Sequence, residues 1–247
     1  MARSTSTLRP RRSVLYMPAA NERALEKAKT IPADAIIFDL EDAVAPDAKD
    51  GARANAVAAA SSGEYGRREL TIRCNGLDTQ WGEADLAAAA TSGAAAVVIP
   101  KVGAVATVDR VVELLDAAGA PAAMTVWAMI ETPTAIFDVR AIAAHPRVAV
   151  LVMGTNDLAR ELRAALVPSR HPLIPHLATA LAAAREAGIV ILDGVFNDVK
   201  DLDGFRAECM QGNEMGFDGK TLIHPGQVDI ANDVWAPSTA EIAHAQR

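Results

Sequence analysis

Eight short apolar runs rich in β-branched residues alternate with longer, alanine-rich stretches along almost the whole chain, and this alternation limits the fold more than any other feature. The runs fall at residues 13–17, 35–40, 69–74, 95–100, 125–130, 148–153, 189–193 and 219–223, and read as strands. Helices are expected between them, at residues 21–29, 47–60, 81–90, 104–118, 132–144, 173–187 and 198–211. Eight such units in 247 residues make an α/β fold, a single-domain (β/α)8 TIM barrel with a closed parallel sheet. A doubly wound open sheet would place a glycine-rich phosphate turn after an early strand, and neither GxGxxG nor GxxxxGK[ST] occurs. No stretch rich in Pro, Gly or Ser is long enough to divide the chain. The expected organisation is therefore a barrel over residues 13–247 behind a flexible basic N-terminus over residues 1–12.

Composition narrows the partners. Hydrophobic residues make up 51% of the chain and charged residues 22%, which suits one large core and not a disordered chain. A formal charge of -7 gives the whole chain no attraction for nucleic acid or an anionic membrane surface. Apolar runs such as residues 94–100 are too short to cross a bilayer. Cys74 and Cys209 are the only cysteines, which excludes a disulfide framework and fits a reducing cytoplasm. Against the overall acidity, Arg3, Arg9, Arg11 and Arg12 crowd the first dozen residues. That bias fits a frayed basic terminus, a transit peptide, or an arginine beside a phosphorylated ligand.

A barrel carries its chemistry at the carboxyl ends of its strands, and polar residues gather there. They include Asp39, Glu41 and Asp42 after the second strand, Arg73 and Asn75 after the third, and Lys101 after the fourth. Glu131 follows the fifth strand, Gly154-Thr155-Asn156-Asp157 the sixth and Asp193 the seventh, while the eighth runs through Lys220 towards His224. Strand alternation puts Arg73 and Asn75 on one face and turns Cys74 away, so Cys74 is not expected to be a nucleophile.

Glu131 and Asp157 close consecutive strands, whose backbones run about 4.8 Å apart. Two carboxylates at one barrel mouth repel unless something neutralises them, and a divalent cation does so. One or two carboxylates, with water and substrate completing the shell, is the habit of Mg²⁺. Zinc fits less well, because His145, His171, His176, His224 and His244 are scattered. Either carboxylate also suits a plain helix cap. Asp39, Glu41 and Asp42 can hold metal-bound water or pair with Arg73 or Lys101. Arg73 offers a fork for a substrate carboxylate or carbonyl, and Gly154, Thr155 and Asn156 form a turn whose backbone amides can hold a carboxylate. Lys101 reads as a charge partner rather than a Schiff-base lysine, His224 as structural, and Trp81, Trp127 and Trp235 as core or interface residues.

Seven segments then share a resemblance. They are Arg12-Ser13-Val14-Leu15-Tyr16-Met17-Pro18, Asp39-Leu40-Glu41-Asp42-Ala43-Val44, Arg73 with Asn75, Ile99-Pro100-Lys101, Ile130-Glu131-Thr132-Pro133, Gly154-Thr155-Asn156-Asp157-Leu158, and the run from Gly216 to Pro225. In this order they resemble the citrate lyase beta-subunit-like proteins of the HpcH/HpaI aldolase superfamily, alongside malyl-CoA and citramalyl-CoA lyases. The resemblance implies a Mg²⁺-dependent carbon–carbon lyase that reversibly splits a malyl, citramalyl or citryl CoA thioester into acetyl-CoA and a 2-oxo acid. It implies metal ligands at Glu131 and Asp157, a substrate-binding arginine at Arg73, and a homotrimer or larger assembly. The 2-oxo acid can chelate the cation, and Arg73 would offset charge on the thioester enolate.

The family also carries a C-terminal lid with a Gly-x-Met-[IV]-Asp-like motif whose aspartate serves as acid/base, and the sequence to Arg247 lacks that motif. Three readings stand: a truncated form, another acid such as Glu41 or Asp42 in that role, or a protein that is not a competent lyase. The alternatives in function are a class II aldolase for free 4-hydroxy-2-oxo acids and a non-catalytic relative that binds oxo acid or CoA.

Overall fold

The computed structural model describes residues 9–237. Eight strands close in sequence order into one parallel barrel: β1 (Ser13–Pro18), β2 (Ala35–Asp39), β3 (Glu69–Arg73), β4 (Ala96–Ile99), β5 (Thr125–Ile130), β6 (Val148–Met153), β7 (Val190–Asp193) and β8 (Gly219–Leu222). Parallel pairing of β1 with β8, through Ser13 opposite Lys220 and Leu15 opposite Leu222, completes the ring.

The helices are α1 (Glu22–Ala28), α2 (Lys49–Ser61), α3 (Gly82–Ala90), α4 (Val105–Ala117), α5 (Pro133–Ala144), α6 (Thr155–Leu162), α7 (Ile174–Ala187), α8 (Leu202–Met215) and α9 (Val228–Val234). Each expected strand and helix forms, with ends moved by a few residues. Local chemistry sets those ends. The Asn21 side chain accepts from the Ala24 amide to start α1, and Thr132, followed by Pro133, accepts from the Ala135 amide to start α5. Asp201 caps α8, so that helix begins later than the 198–211 pattern suggested. Short α6 and α9 were not among the expected helices.

Alternation along the strands builds two concentric cores. The barrel interior holds Val14, Ile37, Val98, Trp127, Val150 and Leu192 among others. The outer layer, between sheet and helices, is larger and takes the neighbouring strand positions such as Leu15, Phe38, Ile72 and Ile130. At a coefficient of about 25 cal/mol per Å² of apolar area, this burial is the main stabilising contribution.

The amino end of the barrel corrects part of the N-terminal expectation. Residues 1–8, with Arg3, lie outside the described residues, but Arg11 and Arg12 are fixed. Arg11 grips Glu69 with Nε at 2.6 Å and Nη2 at 2.8 Å, and its guanidinium stacks 5.4 Å from the Trp127 ring centre. Arg12 grips Asp34 with both Nε and Nη2 at 2.8 Å. Both forks are thus taken by carboxylates at the barrel end remote from the polar mouth. A side chain at Gly219 would meet the Arg11 carbonyl oxygen at 1.9 Å, so only glycine lets this segment pass beneath β8. Among the described residues, no helix is long and apolar enough to cross a membrane.

Candidate functional site

A cavity of about 360 Å³ opens at the carboxyl ends of the strands. Its lining includes Arg73, Asp42, Glu131, Gly154, Thr155, Asn156 and Asp157, which brings together all but one of the residues expected to bind metal or substrate or to act in catalysis. The exception is Glu41, which does not line the cavity. Tyr16, Met129, Met153 and Thr221 supply other parts of the wall.

Arg73 ends β3 on the barrel's inner side and is only 8% exposed. Its Nε and Nη2 donate to the two oxygens of Asp39 at 2.6 and 2.7 Å, so that edge of the fork is occupied. Asp39 also accepts from the backbone amides of Glu41 and Ala43, which ties the loop after β2 to the arginine. The remaining nitrogen, Nη1, lies 2.8 Å from Glu41 Oε2 and 3.5 Å from Asp42 Oδ2. Burial works against the Arg73 charge, but Asp39 more than offsets it and holds the guanidinium well above its ordinary pKa. Glu41 sits behind this nitrogen. Its Oε2 is buried without a hydrogen bond, and burial pushes the carboxyl up to about 7 against the pull of Arg73.

Glu131 follows β5 and is 2% exposed. Thr132, and not Glu131, caps α5, so the carboxylate is left for the cavity. One oxygen accepts from the Lys101 backbone amide at 2.6 Å. Burial pushes this carboxyl up to about 7; the Lys101 amide opposes the shift, and neighbouring Asp157 adds to it. Lys101 itself is exposed with a left-handed φ of 49°. It meets Glu131 through its backbone rather than its ammonium, which removes the expected charge partnership. Gly154 packs against the same carboxylate: a Cβ there would lie 2.4 Å from Glu131 Oε2. That close approach is why glycine follows β6.

Asp157 stands in the first turn of α6 and pairs with Arg160 one turn on. The helix has no side-chain cap, so the backbone amides of Thr155, Asn156 and Asp157 at its start favour negative charge. Asn156 exchanges side-chain hydrogen bonds with Asn197 at 3.0 and 2.8 Å, which fixes the adjoining rim.

Several expected residues serve elsewhere. Asp193 and Lys220, both fully buried, project outward between sheet and helices. Lys220 Nζ binds Asp193 at 2.9 Å and Glu208 at 2.7 Å, while Arg170 Nη1 reaches both oxygens of Asp193 at 2.7 and 2.8 Å. Asn75 lies beyond the end of β3 and does not join Arg73 at the cavity as expected; it bridges Lys49, Asp85 and the Leu40 carbonyl instead. Cys74 is buried, and burial raises its thiol well above the usual range. His224 takes its expected structural place, accepting from the Gly226 amide. Tyr16 is among the cavity residues that sequence reading missed. Its signal was its place on β1, two residues before the strand end and on the inner face.

The residues fit a hard divalent cation. Glu131 and Asp157 line one cavity; among the described residues no ammonium or guanidinium is hydrogen-bonded to Glu131, and Asp157 is paired only with the largely exposed Arg160. Among the described residues, no group of three or more His, Cys, Asp or Glu is arranged as a metal cage. Two carboxylates with room for water and substrate suit Mg²⁺ better than a cation needing a full protein shell.

Residues 12–225 match the HpcH/HpaI aldolase/citrate lyase family. The chain is 51% identical to a (3S)-malyl-CoA thioesterase of Cereibacter sphaeroides over 238 residues, covering 96% of this chain and 81% of the relative. It is 36% identical to the citrate lyase subunit beta of Escherichia coli over 245 residues, covering 97% and 81%. Among solved structures, CitE from Mycobacterium tuberculosis in complex with magnesium, acetoacetate and coenzyme A superposes with a TM-score of 0.79 at 28% identity, covering 96% of this chain and 85% of that one.

Proposed function

Because the chain belongs to the HpcH/HpaI aldolase/citrate lyase family, we propose that it is a Mg²⁺-dependent enzyme that hydrolyses a malyl-type CoA thioester to CoA and the free 3-hydroxy diacid. The observation that carries this reading is that Glu131, Asp157 and Arg73 line one cavity. The 51% identity to a (3S)-malyl-CoA thioesterase favours hydrolysis as the fate of the bound thioester.

Glu131 and Asp157 would hold the cation, which when bound supplies Lewis-acid polarisation and a seat for the hydroxy-carboxylate end of the substrate. The amides at the start of α6 add donors for the same carboxylate. On the opposite wall Arg73 Nη1, held in place by the Asp39 clamp, faces the acyl end. Of the two acids expected to move protons, Asp42 reaches the cavity and Glu41 does not. In this reading Asp42 takes the proton and Glu41 holds Arg73. In hydrolysis the water oxygen bonds to the acyl carbon and the carbon–sulfur bond breaks. One water proton ends on the thiolate and the other passes through Asp42 to solvent.

Carbon–carbon cleavage, the activity implied by the sequence resemblance, is the second reading and is favoured by the 36% identity to a citrate lyase subunit beta. There Asp42 takes the hydroxyl proton, the bond between the second and third carbons of the acyl chain breaks to release the 2-oxo acid, and the resulting acetyl-CoA enolate takes that proton back from Asp42. Incubating the protein with malyl-CoA and Mg²⁺ and separating the products distinguishes the two. Free thiol with malate supports hydrolysis, acetyl-CoA with glyoxylate supports the lyase, and turnover of free 4-hydroxy-2-oxo acids without CoA contradicts both.

A further inference from the structure

We propose that the hydroxyl of Tyr16 donates a hydrogen bond to the thioester carbonyl oxygen of the substrate and shares with Arg73 the charge that this oxygen gains during reaction. The inference rests on the thioester reading above, but not on which bond then breaks: the same oxygen becomes an alkoxide in hydrolysis and an enolate oxygen in carbon–carbon cleavage.

Three features of the cavity point to it. Tyr16 projects from β1 into the cavity, and its ring lies 4.7 Å from the Arg73 guanidinium carbon, so phenol and guanidinium form one wall. Among the described residues its hydroxyl has only Met129 Sδ, 4.0 Å away, as a hydrogen-bond partner. Sulfur is a weak acceptor, so this half-buried phenol keeps a strong donor proton for an oxygen that enters the cavity. Finally, Arg73 has little left to give by itself: Asp39 occupies Nε and Nη2, and Nη1 is shared with Glu41 and Asp42. A developing oxyanion at that wall needs a second donor, and the Tyr16 hydroxyl is the one beside it.

The placement also selects which substrate oxygen is bound. Glu131 and Asp157 leave β5 and β6, across the barrel from β1, so a substrate anchored there by its hydroxy-carboxylate end turns its acyl end towards Tyr16 and Arg73. Burial raises the Tyr16 pKa, so the phenol keeps its proton throughout and acts as a donor, not an acid or base.

The test is Tyr16→Phe, which keeps the ring against Arg73 and deletes only the hydroxyl. With malyl-CoA and saturating Mg²⁺, kcat is expected to fall about 100-fold, the usual loss for one oxyanion donor. KM, the affinity for Mg²⁺ and the shape of the kcat–pH profile should stay close to wild type. A kcat within about threefold of wild type overturns the proposal, since a lost oxyanion donor costs far more. So does a loss confined to KM, or the disappearance of one limb of the pH profile, which would make Tyr16 an acid or base. If the wild-type protein turns over no CoA thioester, the functional reading fails and this inference with it. Normal wild-type turnover with an unaffected Tyr16→Phe variant removes the inference alone.

Discussion

At the scale of single residues, the site depends on charges held where water would otherwise screen them. Glu131 is buried, has one amide on one oxygen, and faces another carboxylate, so its negative charge is costly until a cation arrives. Glu131→Gln keeps the shape and the Lys101 contact but removes that charge. Calorimetry should show Mg²⁺ binding weakened at least about tenfold, or 1.4 kcal/mol, with the fold intact by circular dichroism. Glu41 gives a pH prediction. Its carboxyl titrates near 7 in the folded protein against about 4.5 unfolded, so between these values the folded state binds more protons. Stability therefore falls as pH rises from about 4.5 to about 7. Denaturant unfolding of Glu41→Gln in the absence of metal should show a shallower decline over this range than wild type.

At the scale of elements, the most demanding arrangement is the buried set that ties β7 and β8 to the outer helices. Asp193 and Lys220, fully buried, and Glu208 and Arg170, nearly so, neutralise one another. Removing one partner strands the others, so Asp193→Ala should cost about 3 to 5 kcal/mol. A chain of this size then melts roughly 10 °C lower, which scanning calorimetry at pH 7 would read. The sign of the pH dependence follows from the shifts. Burial raises the Asp193 pKa, but Lys220 and Arg170 overcome it and leave a net depression. Its stabilisation is present above about pH 4 and is lost as pH falls through the lower folded value. Lys220 is raised by Asp193 and Glu208 despite burial, so its share is present below about pH 10.4 and is lost as pH rises through the folded value.

This set also shows why the sequence was only partly legible. Asp193 ends β7 and Lys220 stands beside it on β8, yet alternation turns both to the outer face, and their partners Glu208 and Arg170 come from elements distant in sequence. Strands such as Thr125–Ile130 and Val148–Met153 were legible to the residue because composition and flanking turns agree. Lys101 was not, since a left-handed backbone turns its ammonium away, and no spacing rule announces that.

At the scale of the whole molecule, the closed ring lets residues from six different strands meet at one mouth. Tyr16, Asp39 and Arg73 come from β1, β2 and β3; Glu131 and Asp157 follow β5 and β6; Thr221 belongs to β8. The carboxyl-end clustering of Asp39, Arg73, Glu131 and Asp157 was readable from strand order alone. The clamp of Asp39 on Arg73 was not, because which carboxylate wins a guanidinium depends on side-chain geometry. The most direct test is an electron-density map of the protein crystallised with Mg²⁺ and a 2-oxo acid. One ion should appear in the mouth, bound by oxygens of both Glu131 and Asp157 at about 2.0 to 2.1 Å, with the remaining positions filled by water and the oxo acid. An ion bound elsewhere, or a mouth that holds the acid against Arg73 with neither carboxylate on a metal under saturating Mg²⁺, would contradict it.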